Sequence, residues 1–185
     1  MRKLFVFNMV TLDGFFEGPG QDINWHMVDE EFNKFAVEQL AEIGTLLFGR
    51  RTFELMAQYW PTELALKDDA EVAQAMNSLE KVTVSTSLTE TNWNNSRIVK
   101  GNLKEEVVKL KEQPGKDVAI FGSSDLISTL IPMGVIDEYR LMVCPLVLGA
   151  GKQMFHDLKQ PLKLNLEKTR TFGNGNILLT YRPQT

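Results

Sequence analysis

Residues 118–132, Val118-Ala119-Ile120-Phe121-Gly122-Ser123-Ser124-Asp125-Leu126-Ile127-Ser128-Thr129-Leu130-Ile131-Pro132, decide the architecture. An uninterrupted apolar run, a turn of small residues and a helical stretch stopped by the breaker Pro132 to Gly134 spell strand, tight connection and helix. A strand apolar along its whole length needs cover on both faces. That is the condition of a mostly parallel sheet lying between helices.

The same alternation extends in both directions. Apolar runs rich in β-branched and aromatic residues at 4–10, 45–48, 82–85, 118–121, 138–147, 163–172 and 176–181 are expected strands. Between them, residues 29–43 place Phe32, Phe35, Ala36, Leu40 and Ile43 on one helical face and Glu30, Lys34, Glu38 and Glu42 elsewhere. Further helices are expected at 51–59, at 69–79 with Asp68 as cap, at 103–111 and at 124–131. The Gly173-Asn174-Gly175 turn joins the last two strands as a hairpin, so the fold class is α/β with a mixed sheet closed by an antiparallel pair. The polar stretches 63–69 and 89–96 are too short to be linkers, and one domain is expected over 1–185.

Composition narrows the function classes. The 185 residues carry 43% apolar and 24% charged side chains, as an ordinary globule does, which excludes disorder and low-complexity repeats. A net charge of −4 argues against a nucleic-acid partner. No run of 18 apolar residues and no signal-type apolar region occurs, so neither membrane insertion nor secretion is expected and a cytoplasmic protein is. The single cysteine, Cys144, excludes an internal disulfide, and His26 and His156, 130 residues apart, group no metal ligands and are expected at the surface or in hydrogen bonds.

Four constellations stand at strand ends, where an open α/β sheet builds its ligand crevice. Thr11-Leu12-Asp13-Gly14, with Phe15 to Gly20 behind it, is either a substrate-covering lid fixed by Asp13 or a plain Asp-Gly turn. Gly49-Arg50-Arg51-Thr52-Phe53 opens a helix with a guanidinium pair that opposes the helix dipole, so an anion such as phosphate is the natural complement; a solvated basic pair is the alternative. Val84-Ser85-Thr86-Ser87-Leu88 offers hydroxyls to the same anion or merely caps a turn. Gly122, Ser123, Ser124 and Leu126 open the helix of the deciding stretch without a GxGxxG or P-loop pattern. Asp29, Glu30 and Glu31 begin another helix as dipole-favoured caps or as the source of a catalytic carboxyl.

Taken in order, Leu12-Asp13-Gly14, Phe48 to Phe53, Phe121 to Ser124 and Pro145 to Lys152 resemble the dihydrofolate reductase-like family. The branch is that of the C-terminal reductase domain of bifunctional riboflavin-biosynthesis enzymes, here as a stand-alone member. The resemblance implies a three-layer fold around a mostly parallel eight-stranded sheet with a C-terminal antiparallel hairpin, an NADPH cofactor and a small pterin- or pyrimidine-like acceptor. It assigns Gly49, Arg50, Arg51, Thr52, Ser85 and Thr86 to the adenosine 2′-phosphate, and Gly122, Ser123, Ser124 and Leu126 to the pyrophosphate. Leu12, Gly14 and Trp25 fall to the substrate, Asp13 and Glu30 to catalysis, with Asp29 and Glu31 as neighbouring alternatives to Glu30. It implies a homodimer, and exposed apolar side chains expected near Trp60 and in the Phe155 region would serve one. A non-catalytic NADP-binding or regulatory domain of the same fold is the other expectation.

Overall fold

The computed structural model describes residues 1–184. The strands are β1 (Leu4–Thr11), β2 (Phe15–Glu17), β3 (Ile43–Gly49), β4 (Glu80–Val84), β5 (Ser96–Val99), β6 (Asp117–Ile120), β7 (Glu138–Cys144), β8 (Lys152–Gln153), β9 (Leu164–Thr171) and β10 (Ile177–Pro183). The helices are α1 (Glu30–Ala41), α2 (Arg50–Tyr59), α3 (Glu63–Asp68), α4 (Ala70–Ser78), α5 (Leu103–Glu112) and α6 (Ser124–Leu130). Eight strands share one sheet in the order β5-β4-β3-β6-β1-β7-β10-β9, and β2 pairs with β8 apart from it. Neighbours from β5 to β7 run parallel, while β10 is antiparallel to both β7 and β9. This is the expected three-layer arrangement.

Alternation along the central strands feeds two cores. Leu4, Val6 and Val10 of β1 with Val118 and Ile120 of β6 meet Val107 and Leu110 of α5 and Leu126, Ile127 and Leu130 of α6. On the other face Phe5, Leu46, Phe48 and Ala119 meet Leu40 of α1, Phe53 of α2, and Val72 and Met76 of α4. Burial on both faces is why these strands read as continuous apolar runs.

Two buried cations fasten the edge where the parallel strands begin. Arg2 donates to the Lys116 and Leu110 carbonyls and, at 2.6 Å, to Thr45 Oγ1, which in turn donates to Glu80. Lys81 Nζ caps the end of α4 through the Met76 and Asn77 carbonyls at 3.0 and 2.9 Å, and burial pushes its ammonium down to about 8. The opposite edge, where these strands end, is left to loops and helix starts.

Some boundaries differ from expectation. The β7 strand stops at Cys144 instead of 147, because Pro145 has no N–H to donate and the Leu146 amide turns back to the Cys144 carbonyl at 2.8 Å. Asp69, not Asp68, caps α4 by accepting from the Val72 amide at 3.0 Å. The polar stretch at 63–69 contains α3, capped by Thr62, and Ser96 opens the edge strand β5. Trp60 and Phe155 are themselves half-buried, against Met56 and Tyr139, while Leu55, Leu64 and Leu66 near Trp60 are exposed.

His26 is also not a surface residue. It is half-buried, its Nε2 is shielded without a hydrogen-bond partner, and burial lowers its pKa to about 4. A folded value below the ordinary 6.5 means the unfolded chain takes the proton first, so stability is complete above about 6.5 and is lost as pH falls through 4. Replacing His26 with Gln should therefore flatten the acid limb of the stability curve, by on the order of 3 kcal/mol at pH 4. Urea unfolding midpoints of wild type and variant between pH 7 and 4 check this; parallel curves would refute it.

Candidate active site

Four strand ends lie side by side at the open edge, in the order β4, β3, β6, β1. Register fixes them: Gly49 pairs with Val84, Leu47 with Ile120, and Ile120 with Val6. Parallel neighbours end together, so the four constellations open at one edge of the sheet.

Two of them touch. A Cβ built on Gly49 would sit 2.6 Å from Ser123 Oγ, and one on Gly122 would sit 3.0 Å from both Phe16 Cζ and Thr52 Oγ1. Gly122 also has φ +104°, a conformation that glycine alone adopts readily, and the Gly122–Ser123 peptide is cis. The starts of α2 and α6 thus converge, with Phe16 of the first loop against them. Gly49 caps α2 without a side-chain bond, leaving its first amides open to an anion. At α6, Ser123 accepts from the Leu126 amide, and the fully buried Ser124 has an Oγ with no partner. Leu126 is core, so only its backbone reaches the turn.

The arginines divide. Arg50 donates to both oxygens of Glu54 at 3.1 and 2.9 Å, whereas the exposed Arg51 has no ion pair among the described residues. Ser85 is spent on its own turn, accepting from the Ser87 and Leu88 amides at 3.2 and 2.9 Å, while Thr86 is exposed and Thr52 buried.

In the first loop Asp13 is a tie. Its carboxylate accepts from Thr11 Oγ1 at 2.6 Å and from the Leu148 and Gly149 amides at 3.2 and 2.8 Å. The Thr11 hydroxyl first, then the Gly149 and Leu148 amides, hold it below the ordinary carboxylate range, so it is an anion and a weak proton donor at neutral pH. Leu12 beside it is exposed, and Gly14 turns the chain at φ +84°. The following residues pair with β8, where Gly151 packs against the Glu17 carbonyl too closely for any Cβ.

The start of α1 settles the three acids. Asp29 caps the helix through the Phe32 amide at 2.8 Å, Glu31 accepts from the Gly173 amide at 2.8 Å, and Glu30 faces solvent in a 2.7 Å pair with Lys34. The Lys34 ammonium lowers the Glu30 pKa. This is the geometry of a helix-surface pair, at odds with the raised, sheltered carboxyl that a general acid needs. Trp25, half-buried, donates to the Asp22 carbonyl at 3.0 Å and packs with Phe32 on the core beneath α1. Sequence reasoning did not find the wall beside it: Phe7 lies 5.6 Å from both Phe35 and Phe121, and Phe35 lies 6.2 Å from Phe32. The available signal was the placement of aromatic residues on one face of β1 and just past β6.

The sequence profile of the RibD C-terminal domain matches residues 2–178. The chain belongs to the RibD C-terminal domain family. The Bacillus subtilis protein YyaP is 37% identical over 180 residues, covering 97% of this chain and 94% of its own. A Shewanella sp. PV-4 protein named for riboflavin biosynthesis superposes with a TM-score of 0.75 at 21% identity, covering 99% of both chains. Dihydrofolate reductase of Enterococcus faecalis, solved with NADP(H), superposes at 0.67 with 16% identity, covering 99% of this chain and 97% of that one. The RibD C-terminal domain described here therefore has a reductase-type fold.

Within this RibD C-terminal domain, two depressions of about 600 and 500 Å³ lie elsewhere, one between Trp93, Glu80 and Arg97 at the strand starts, the other beside Pro161 and Lys163. Neither shares a residue with the converging starts of α2 and α6. Among the described residues no three His, Cys, Asp or Glu side chains gather as a metal-ion set. If the two helix starts are in contact, Gly49→Ala and Ser123→Ala will not be additive. We expect each alone to cost about 1–2 kcal/mol and the double variant to fall short of their sum by about 1 kcal/mol. Thermal unfolding of the four proteins measures this coupling, and strict additivity would separate the two segments.

Proposed function

We propose that the protein is an NADPH-dependent oxidoreductase acting on a pterin- or pyrimidine-like small molecule. The observation that carries the reading is the contact between the α2 and α6 starts, which sets two groups of helix-opening amides side by side, with the unpaired Arg51 in the first turn of α2. The residues fit the cofactor. Gly49, Arg51, Thr52 and Thr86 would hold the 2′-phosphate, with Arg50 joining them if it leaves Glu54, and Gly122, Ser123 and Ser124 would line the pyrophosphate. The orphaned Ser124 hydroxyl is a donor in search of an acceptor. That the dihydrofolate reductase of like fold holds NADP(H) supports the same choice.

When bound, NADPH supplies a hydride to an electron-poor bond such as C=N. The chain's own part is to orient and to exclude water. Phe7, Phe121 and Phe32 would offer apolar ring edges and faces to a substrate, and the first loop, tied by Asp13 to the residues after β7, would exclude water from it. Asp13 fixes that loop, with Leu12 and Gly14 at its tip and Trp25 at the far rim. Glu30 takes no proton-transfer role in this arrangement, since it is exposed and paired. Assembly as a homodimer and residence in the cytoplasm belong to the same proposal. No helix among the described residues is long and apolar enough to cross a membrane.

One observation favours a second reading, a non-catalytic NADP-binding domain: both expected catalytic carboxylates are already engaged. NADPH binding without oxidation by any pterin or pyrimidine acceptor would select it. For the cofactor itself, Arg51→Ala should weaken NADPH about 10- to 100-fold, as loss of a charge-assisted bond does, and leave NADH within about twofold. Fluorescence titration of both nucleotides tests this. Equal losses for the two would remove Arg51 from the phosphate.

A further inference from the structure

We propose that Lys152 is a cofactor-binding residue, the cation for the diphosphate of NADPH, which Asp125 holds beside the start of α6 until the nucleotide arrives. This rests on the reading of the α2 and α6 starts as an NADPH cradle and adds the charge that the reading leaves out. The segment assigned to the diphosphate, residues 122–126, contains one carboxylate, Asp125, and neither Lys nor Arg. The arginines of α2 go to the 2′-phosphate. A diphosphate dianion laid along residues 122–126 would therefore face a like charge with no cation from that segment in return.

The backbone on which Lys152 stands is fixed from the first loop. Lys152 opens β8 and pairs with Glu17 of β2, Gly151 before it packs on the Glu17 carbonyl with no room for a Cβ, and the Met154 amide donates to the Gly14 carbonyl at 2.9 Å. Phe16 of the same β2 lies against Gly122. The strand that carries Lys152 is thus set beside the turn that opens α6. Its side chain reaches that turn: Nζ donates to Asp125 Oδ2 at 2.5 Å, and Lys152 has no other ion-pair partner among the described residues.

The pair is exchangeable. The Lys152 and Asp125 side chains are 27% and 54% exposed, so water screens their attraction and the bond adds little to stability. Asp125 also has a second nitrogen at hand: His156 Nε2 stands 3.3 Å from its Oδ1 without a hydrogen-bond partner, while Nδ1 faces Asp157 at 2.9 Å. An ammonium on a flexible four-carbon stem can turn from a carboxylate to a phosphate oxygen while its backbone stays in place. The charge-assisted bond to the dianion then replaces the one given up. In the free protein Asp125 competes with the nucleotide for Lys152, and in the complex it remains as a like charge. Both effects give Asp125 the opposite sign to Lys152 in binding.

The test is calorimetric titration of the intact protein with NADP⁺, which needs no acceptor. Adenosine 2′-monophosphate is the second probe, because it lacks the diphosphate. Lys152→Met should weaken NADP⁺ about tenfold and leave adenosine 2′-monophosphate within about twofold, which also shows that the variant is folded. Asp125→Asn should tighten NADP⁺ about threefold, and the double variant should lie between the two single ones. Added salt should weaken NADP⁺ less in Lys152→Met than in the wild-type protein. If Asp125→Asn weakens NADP⁺ as Lys152→Met does, the pair merely braces the first loop and the inference fails. Equal losses of both probes in Lys152→Met, or NADP⁺ affinity unchanged by it, would also overturn the inference. Failure of NADP⁺ to bind the wild-type protein would instead overturn the reductase reading on which it stands.

Discussion

Parallel pairing of β3 with β6 is the constraint on which the rest depends. Because Leu47 and Ile120 are in register, the chain leaves both strands at the same height, and the helices that follow must start beside one another. Two uncompensated sets of N–H groups are thereby brought to one place, which a helix start on its own could not achieve. The approach is close enough that position 49 must lack a side chain, and Gly122 is hemmed by Thr52 on one side and Phe16 on the other. Glycine is required at position 49 by contact, and at position 122 by contact and by its positive φ together.

Much of this was legible in the sequence because double burial leaves a strong mark. The runs around Leu4, Leu46 and Val118 have apolar residues on both faces, and the Gly173 to Gly175 turn announced the antiparallel pair. What escaped was short and tertiary. Strands β2 and β8 have three and two residues and exist because they pair with each other, so no local period could mark them. The edge strand β5 exposes Arg97 and pairs on one side only, and α3 is little more than one turn held by the Thr62 cap.

The site divides in the same way. That Gly49 to Thr52 and Gly122 to Ser124 open helices followed from their place after apolar runs. That they touch followed only from strand order, which sequence spacing does not encode. The commitments of individual side chains were less visible still. Arg50 meets Glu54 one helical turn on, Ser85 closes its own turn, and Glu30 meets Lys34 in solvent, all short-range bonds that withdraw groups from a ligand. The aromatic wall of Phe7, Phe35 and Phe121 joins three separate elements and belongs to the fold alone.

Buried Arg2 and Lys81 spend their charge on carbonyls at the edge where strands begin, which leaves the α2 arginines at the edge where they end. The most direct test of the central claim is amide chemical-shift mapping during titration with NADP⁺. The account predicts that amides of residues 49–53 and 122–126 move together with a single dissociation constant. Movement confined to one of these segments, or centred on the depression around Trp93 and Arg97, would contradict it.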